Sequence, residues 1–251
     1  MSGPSFYKNV VPLNRERHRN LKLRPSDGRV AFAAGAHFVP VAAVEFFDAA
    51  RDYPIVFAGS DDATPLSILG LRDGENLFVD ADGRWARGAY VPVFVRRYPF
   101  ILSRVDPEAT DFAVCLDEAF DGLSEADGTP LFDDDGKESE LVTRVVGVLQ
   151  NFLTETERTR RFVERLRGLD LLTVQSMQVQ DGTGRTFALR DFRMVDEKKL
   201  KELDNDVVAD LHRSGYLGCI YAHLVSLGNI AKLATRVPAG QPSGVADGTA
   251  G

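Results

Sequence analysis

The chain has 251 residues, 44% of them hydrophobic and 27% charged, which is enough apolar content to bury a sizeable core within one large domain. A formal net charge of −7 argues against a general nucleic-acid or anionic-membrane surface, because such a surface needs a broad basic face to displace counterions. No run approaches the roughly 20 uninterrupted apolar residues of a membrane helix.

The opening segment, MSGPSFYKNVVPLNRERH, has no apolar centre of the kind a secretory signal carries. The cytoplasm is therefore the expected location, with export by an unrecognised route as the alternative. Two stretches then echo each other: VPVAAVEFFDAARDYPIVF (Val39 to Phe57) and VPVFVRRYPFIL (Val91 to Leu102). Each runs Val-Pro-Val, an insert, Arg-x-Tyr-Pro and an apolar run. Proline suits a helix's first turn, so Pro40 and Pro92 are expected to open helices over Pro40 to Arg51 and Pro92 to Arg97. Tyr53 and Tyr98 precede prolines and should end those helices, with a strand following each.

Between the two units, PLSILGLRDGENLFVDADGRW (Pro65 to Trp85) reads as strands joined by turns at Asp73-Gly74 and Asp82-Gly83. FAVCLDE (Phe112 to Glu118) reads as another strand, and PLFDDDGKESE (Pro130 to Glu140) as a turn. From Ser139 the period changes to that of helices: two are expected up to Leu172, with Phe162, Val163, Leu166 and Leu169 on one face of the second. A hairpin turning at Asp181 to Gly184 and further helices follow. The last of these, YLGCIYAHLVSLGNIAKLATR, is apolar almost all round and is expected to be buried. These elements predict an α+β fold, β-rich over 1–138 with two helix–strand units and mainly helical over 139–236, packed as one domain. Residues 237–251 have little to bury and are expected to be disordered.

The arginines of the second unit admit two readings. Arg51, Arg96 and Arg97 fall in last turns, where a cation complements the helix dipole and its stem covers aromatic neighbours. Alternatively, Arg96 and Arg97 form a clamp with Trp85, Tyr90 and Tyr98 for an anion or a partner's acidic face. If the roles divide, the arginine packed beneath Trp85 and Tyr90 is the structural one.

The sequence carries no recognisable catalytic set. Cys115 and Cys219 lie far apart in apolar strings without metal-ligand spacing. Fitting DDDGKESE to a calcium loop puts Leu131 and Val142 where acidic ligands are needed. His18, His37, His212 and His223 form no metal motif, and His223 reads as a satisfied core histidine. Nucleophile-elbow and phosphate-loop motifs are missing. No metal or cofactor is expected. Glu45, an acid inside VAAVEFFDAA, is expected at an exposed helix position.

The motifs VPVAAVEFFDAARDYPIVF, GLRDGENLFVDADGRW, YVPVFVRRYPF, LFDDDGKES and VDEKKLKELDNDVVADLHRSGYLGCIYAHLVSLGNIAKL, in that order, resemble the SapC-like family of bacterial proteins from about Phe6 to Arg236. The family is named after a surface-layer-associated protein, and no catalytic residues transfer from it. Similar chains are labelled peptide-transport permeases, a label at odds with a chain that has no membrane span. The resemblance implies a soluble, non-catalytic accessory protein of surface layers or envelope uptake systems, with a protein partner and a homo-oligomer possible. The alternative is an enzyme or small-molecule binder using Arg96, Arg97, Trp85, Tyr98 and His223.

Overall fold

The computed structural model describes residues 6–104 and 112–238. Strands β1 (Val10–Pro12), β2 (Lys22–Leu23), β3 (Phe38–Pro40), β4 (Ile55–Ala58), β5 (Pro65–Ile68), β6 (Phe100–Arg104), β7 (Phe112–Asp117), β8 (Leu123–Ser124) and β9 (Thr129–Pro130) occupy the first half, with one-turn helices α1 (Phe46–Ala49) and α2 (Val93–Arg96) between them. The second half holds α3 (Glu140–Gly168), the hairpin β10 (Leu172–Gln180) and β11 (Thr186–Val195), then α4 (Glu197–Lys201), α5 (Asn205–Arg213), α6 (Tyr216–Ser226) and α7 (Asn229–Arg236). This is the expected α+β class, with helices concentrated towards the C-terminus. The expected disordered tail lies outside the described residues from 239 onward.

Every strand pairing among the described residues is antiparallel. The main sheet has the order β10-β11-β4-β5-β3, so it draws strands from both halves of the chain. Two three-stranded sheets, β1-β7-β6 and β8-β2-β9, complete the β structure. The large core, including Phe46, Tyr53, Phe57, Phe162 and Leu211, packs the main sheet against α3 and the C-terminal helices. A smaller core of Phe100, Leu116, Leu131, Phe132, Val142 and Leu149 lies under β6 and β7.

The single helix α3 replaces the two helices expected from the sequence. Its 29 residues span about 43 Å at 1.5 Å per residue and serve both cores: Val142 and Leu149 face the smaller, Phe162, Val163 and Leu166 the larger. The polar stretch at Thr154 to Thr156 does not break it: the Thr154 and Thr156 hydroxyls donate to the Gln150 and Phe152 carbonyls one turn back, an arrangement a helix accommodates, and packing on both cores holds the helix on either side. Ser139 caps its start by accepting from the Val142 N–H.

The two proline units differ more than their sequences suggest. Pro92 caps α2 as expected, but Pro40 is the last residue of β3, and its helical turn begins only at Ala43. Both Tyr-Pro pairs do lead into strands, β4 in the main sheet and β6 in a small one. Tyr98-Pro99 is cis. In the segment between the units only β5 is a strand. The rest is irregular chain turning at Gly74 and Gly83, both at positive φ, with isolated bridges between Val79 and Trp85 and from Arg84 to Arg29.

The C-terminal apolar run is likewise two helices, α6 and α7, bent by 41° at the Leu227-Gly228 break. Ile220, Ala222, His223 and Ser226 are buried, but Tyr221 and Val225 face outward, so the expectation of burial all round fails for α6. No single helix among the described residues is long and apolar enough to cross a membrane.

Candidate functional site

Glu45 organises the junction of the two proline units. It is 4% exposed, which corrects the expectation of an exposed helix position. One carboxylate oxygen accepts from the Tyr90 hydroxyl and the Val93 N–H, both at 2.8 Å. The other accepts from the Ala42 N–H at 3.0 Å. The acid thus closes the first turn before α1 and meets the N-terminal end of α2, where the free N–H groups favour negative charge.

Tyr90 sits at the centre. Its N–H donates to Asp52 at 2.8 Å, while its carbonyl accepts from the Tyr53 hydroxyl and from the Trp85 indole N–H. Burial first, and the neighbouring Glu45 carboxylate second, push the Tyr90 hydroxyl up to about 12, so it stays a proton donor to Glu45. Burial also pushes the Tyr53 hydroxyl upward, against the opposing Trp85 hydrogen bond. Trp85 stacks on Phe78, with ring planes 23° apart, and Arg236 lies over the Phe78 ring 4.2 Å from its centroid. Trp85 and Tyr90 are therefore parts of an internal hydrogen-bonded frame.

The two arginines diverge. Arg96 is exposed, with Nε donating to the Val91 carbonyl at 2.9 Å and Nη2 to the Tyr90 hydroxyl at 3.2 Å. Arg97 is held between the rings of Phe94 and Phe152, 4.4 and 4.5 Å from their centroids, and hydrogen-bonds Tyr7. Burial lowers the Arg97 pKa and the Tyr7 contact opposes the shift. Its Nε finds no acceptor among the described residues. The guanidinium that lies over the Tyr90 ring, 5.7 Å from its centroid, is that of exposed Arg96, whereas the buried Arg97 packs between a residue of α2 and one of α3. The expectation that the arginine at Tyr90 is the structural one is therefore reversed.

Tyr98 also turns inward. Its ring stacks on Phe32 at 4.1 Å and its hydroxyl donates to Asp117 at 3.1 Å. Burial alone would raise the Asp117 carboxyl, but the N–H groups of Lys8, Asn9 and Ala119 together with Tyr98 hold it below the usual carboxylate range. His223 is fully buried; its Nε2 accepts from the Val195 N–H at 3.1 Å and its Nδ1 faces the Ile55 carbonyl at 2.8 Å. That arrangement needs a neutral ring with the proton on Nδ1, a satisfied core histidine.

The two arginines should respond differently to truncation. Arg97→Ala removes a cation between two rings and should lower stability by about 1–2 kcal/mol. Arg96→Ala removes an exposed cation from a helix end and should cost about 0.3–1 kcal/mol. Urea unfolding of both variants checks the order.

A cavity of about 380 Å³ opens between α3 and the ends of β3 and β5, walled by Pro40, Pro65, Phe94, Phe152 and Val163. None of Trp85, Tyr90, Arg96, Arg97 and Tyr98 lines it. Its charged members are engaged: Arg160 pairs with Glu157 at 2.8 Å, and Asp62 accepts from the Ser60 and Thr64 hydroxyls at 2.6 and 2.7 Å. The cavity therefore offers apolar packing more than acid–base chemistry. Among the described residues no His, Cys, Asp and Glu groups cluster with metal-binding potential.

An apolar stripe runs from the turn before α1 through α1 to α6, and no sequence motif pointed to it. Val44 and Phe47, one helical turn apart, are each 63% exposed, and Tyr221 and Val225 are 54% and 74% exposed. The two helices pack together, and the Phe47 ring lies 3.1 Å from where a Cβ on Gly218 would be. Gly218, Tyr221 and Val225 follow one another at spacings of three and four, so they share a side of α6. Helical spacing was visible in the sequence, but nothing local shows which face of an apolar helix lacks a cover.

The chain matches no curated protein and no solved structure. It does match the SapC family model over residues 13–233, from the loop after β1 into α7, in agreement with the resemblance carried by its motifs. The protein belongs to the SapC family.

Proposed function

We propose that this protein is a non-catalytic interaction protein of bacterial surface layers or envelope uptake systems, acting from the cytoplasm and docking a protein partner on α1 and α6. The observation that carries the reading is the stripe of Val44, Phe47, Tyr221 and Val225. Val44 in the turn leading into α1, Phe47 on α1, and Tyr221 and Val225 on α6 are exposed large apolar side chains. α1 packs on α6 with Phe47 at Gly218, and an exposed apolar patch on packed elements is a mark of interaction sites. Arg96 supplies a cation at its margin: its guanidinium bonds Tyr90, whose hydroxyl bonds Glu45, the residue next to Val44. An aromatic and apolar centre with an arginine at the rim has the composition of protein interfaces.

A photo-crosslinking amino acid placed at Phe47 in the native host tests this. The expected result is a discrete adduct with an envelope or surface-layer protein, formed from the cytosolic fraction and lost when Val225→Asp is added. Adducts no different from those of a crosslinker at an exposed polar site of α3, such as Arg161, would overturn it.

A further inference from the structure

The main sheet has two ends, and they are built differently. At one end β3 is three residues long, buried at Phe38 and Val39, and finishes on Pro40, which has no N–H to offer a neighbour. At the other end β10 runs nine residues, LTVQSMQVQ, with no charged side chain and no proline. Charges and prolines are the usual means by which an edge strand is kept from pairing. Among the described residues the β10 backbone is hydrogen-bonded to no strand but β11. The N–H and C=O groups of alternate residues therefore point away from the sheet without a strand to receive them.

The middle of β10 is also open on its side chains. Val174, Gln175 and Ser176 are all exposed, Val174 at 60%. Further along, Val179 is buried and α7 packs against the strand. A bulge between Gln175 and Met177 shifts the register and adds local twist. These features restrict a regular free edge to the stretch around Thr173, Val174 and Gln175. β11 reaches β4 only through Phe192 and Arg193, so much of the hairpin stands clear of the rest of the sheet.

We propose that this edge pairs antiparallel with β10 of a second copy of the chain, the two-fold axis passing beside Val174. Antiparallel self-pairing sets Val174 against its own counterpart and Thr173 against Gln175. No like charges meet, and a β-branched pair lies at the centre. An edge carrying one lysine or glutamate at that position would repel itself. The closure of the β3 edge makes the association finite: each sheet can be extended on one side only, so two copies form an isologous dimer and stop there. The surface is distinct from the α1 and α6 stripe and leaves it free for a different partner.

Sedimentation equilibrium of the full chain tests the proposal, using Val174→Lys, Val174→Thr and Val225→Lys. The expected result is a dimer at micromolar concentration whose dissociation constant rises about tenfold or more with Val174→Lys and is little changed by Val174→Thr or Val225→Lys. Because Val174 is exposed, the lysine variant should keep the wild-type circular dichroism spectrum. As a positive readout, the Val174→Cys chain should form a disulfide-linked dimer on mild oxidation while a Gln180→Cys chain does not. A wild-type chain that is monomeric throughout the micromolar range, or a dimer dissociated by Val225→Lys and indifferent to Val174→Lys, would overturn it.

Discussion

Glu45→Ala should destabilise the protein by about 2–4 kcal/mol, the order of cost of leaving buried donors without an acceptor. The carboxylate serves three donors, the Ala42 and Val93 N–H groups and the Tyr90 hydroxyl. Alanine would leave them facing a space from which the structure excludes most solvent. Glu45→Gln should cost less. Its amide oxygen can keep Tyr90 and Val93, while its NH2 group would meet the Ala42 N–H donor to donor. Urea unfolding of the two variants gives the ordering. A cost for Glu45→Ala below about 0.5 kcal/mol, the size of an ordinary surface change, would mean that the junction is wetter or looser than described.

The second large effect is pH-dependent. His223 is pushed down from 6.5 to about 4 by burial, with its hydrogen bond to the Ile55 carbonyl acting the other way. In the unfolded chain the imidazole takes up its proton near pH 6.5, whereas in the folded chain it stays neutral until about pH 4. Between those values the unfolded state binds one more proton, so stability falls as the pH is lowered. The slope should approach 1.4 kcal/mol per pH unit, about 3 kcal/mol over the window. Protonation would also cancel the acceptor that the Val195 N–H requires. Equilibrium unfolding at intervals from pH 7.5 to 4.5 measures the slope. His223→Gln cannot take up a proton, so its own curve should be flatter over the same range even if the variant starts from lower stability. Parallel curves would remove His223 from the account. Asp117, whose folded pKa is depressed, acts at lower pH: its contribution is complete above the unfolded carboxylate range and is lost only as the pH falls below it.

What could be read from the sequence depended on how local the cause was. The Asp181 to Gly184 turn was legible because its chemistry is self-contained. Asp181 accepts from the Thr183 and Arg185 N–H groups, the Thr183 hydroxyl and the Arg185 guanidinium, all within four residues. The entry to α2 at Pro92 and the strand starts after both Tyr-Pro pairs rest on similarly local backbone restrictions. Pro40 misled because strand pairing with β5 decided its conformation, and that pairing reaches across the sheet to Leu66. Glu45 misled for a related reason: its donors Tyr90 and Val93 lie 45 and 48 residues further along the chain. A polar residue in a helical pattern reads as exposed until its partners are known. The arginine pair was visible as a feature of α2, yet its division depended on Phe152 from α3, more than 50 positions away.

On the proposed reading a partner meets the exposed stripe of Val44, Phe47, Tyr221 and Val225 and not the arginine–aromatic frame. The most direct measurement compares the yield of the Phe47 crosslink in chains carrying Val225→Asp or Arg97→Ala, at a temperature where both are folded by circular dichroism. The account predicts a wild-type melting temperature with the adduct lost for Val225→Asp, and a lowered melting temperature with the adduct retained for Arg97→Ala. An undiminished adduct with Val225→Asp, together with its loss in folded Arg97→Ala, would contradict it.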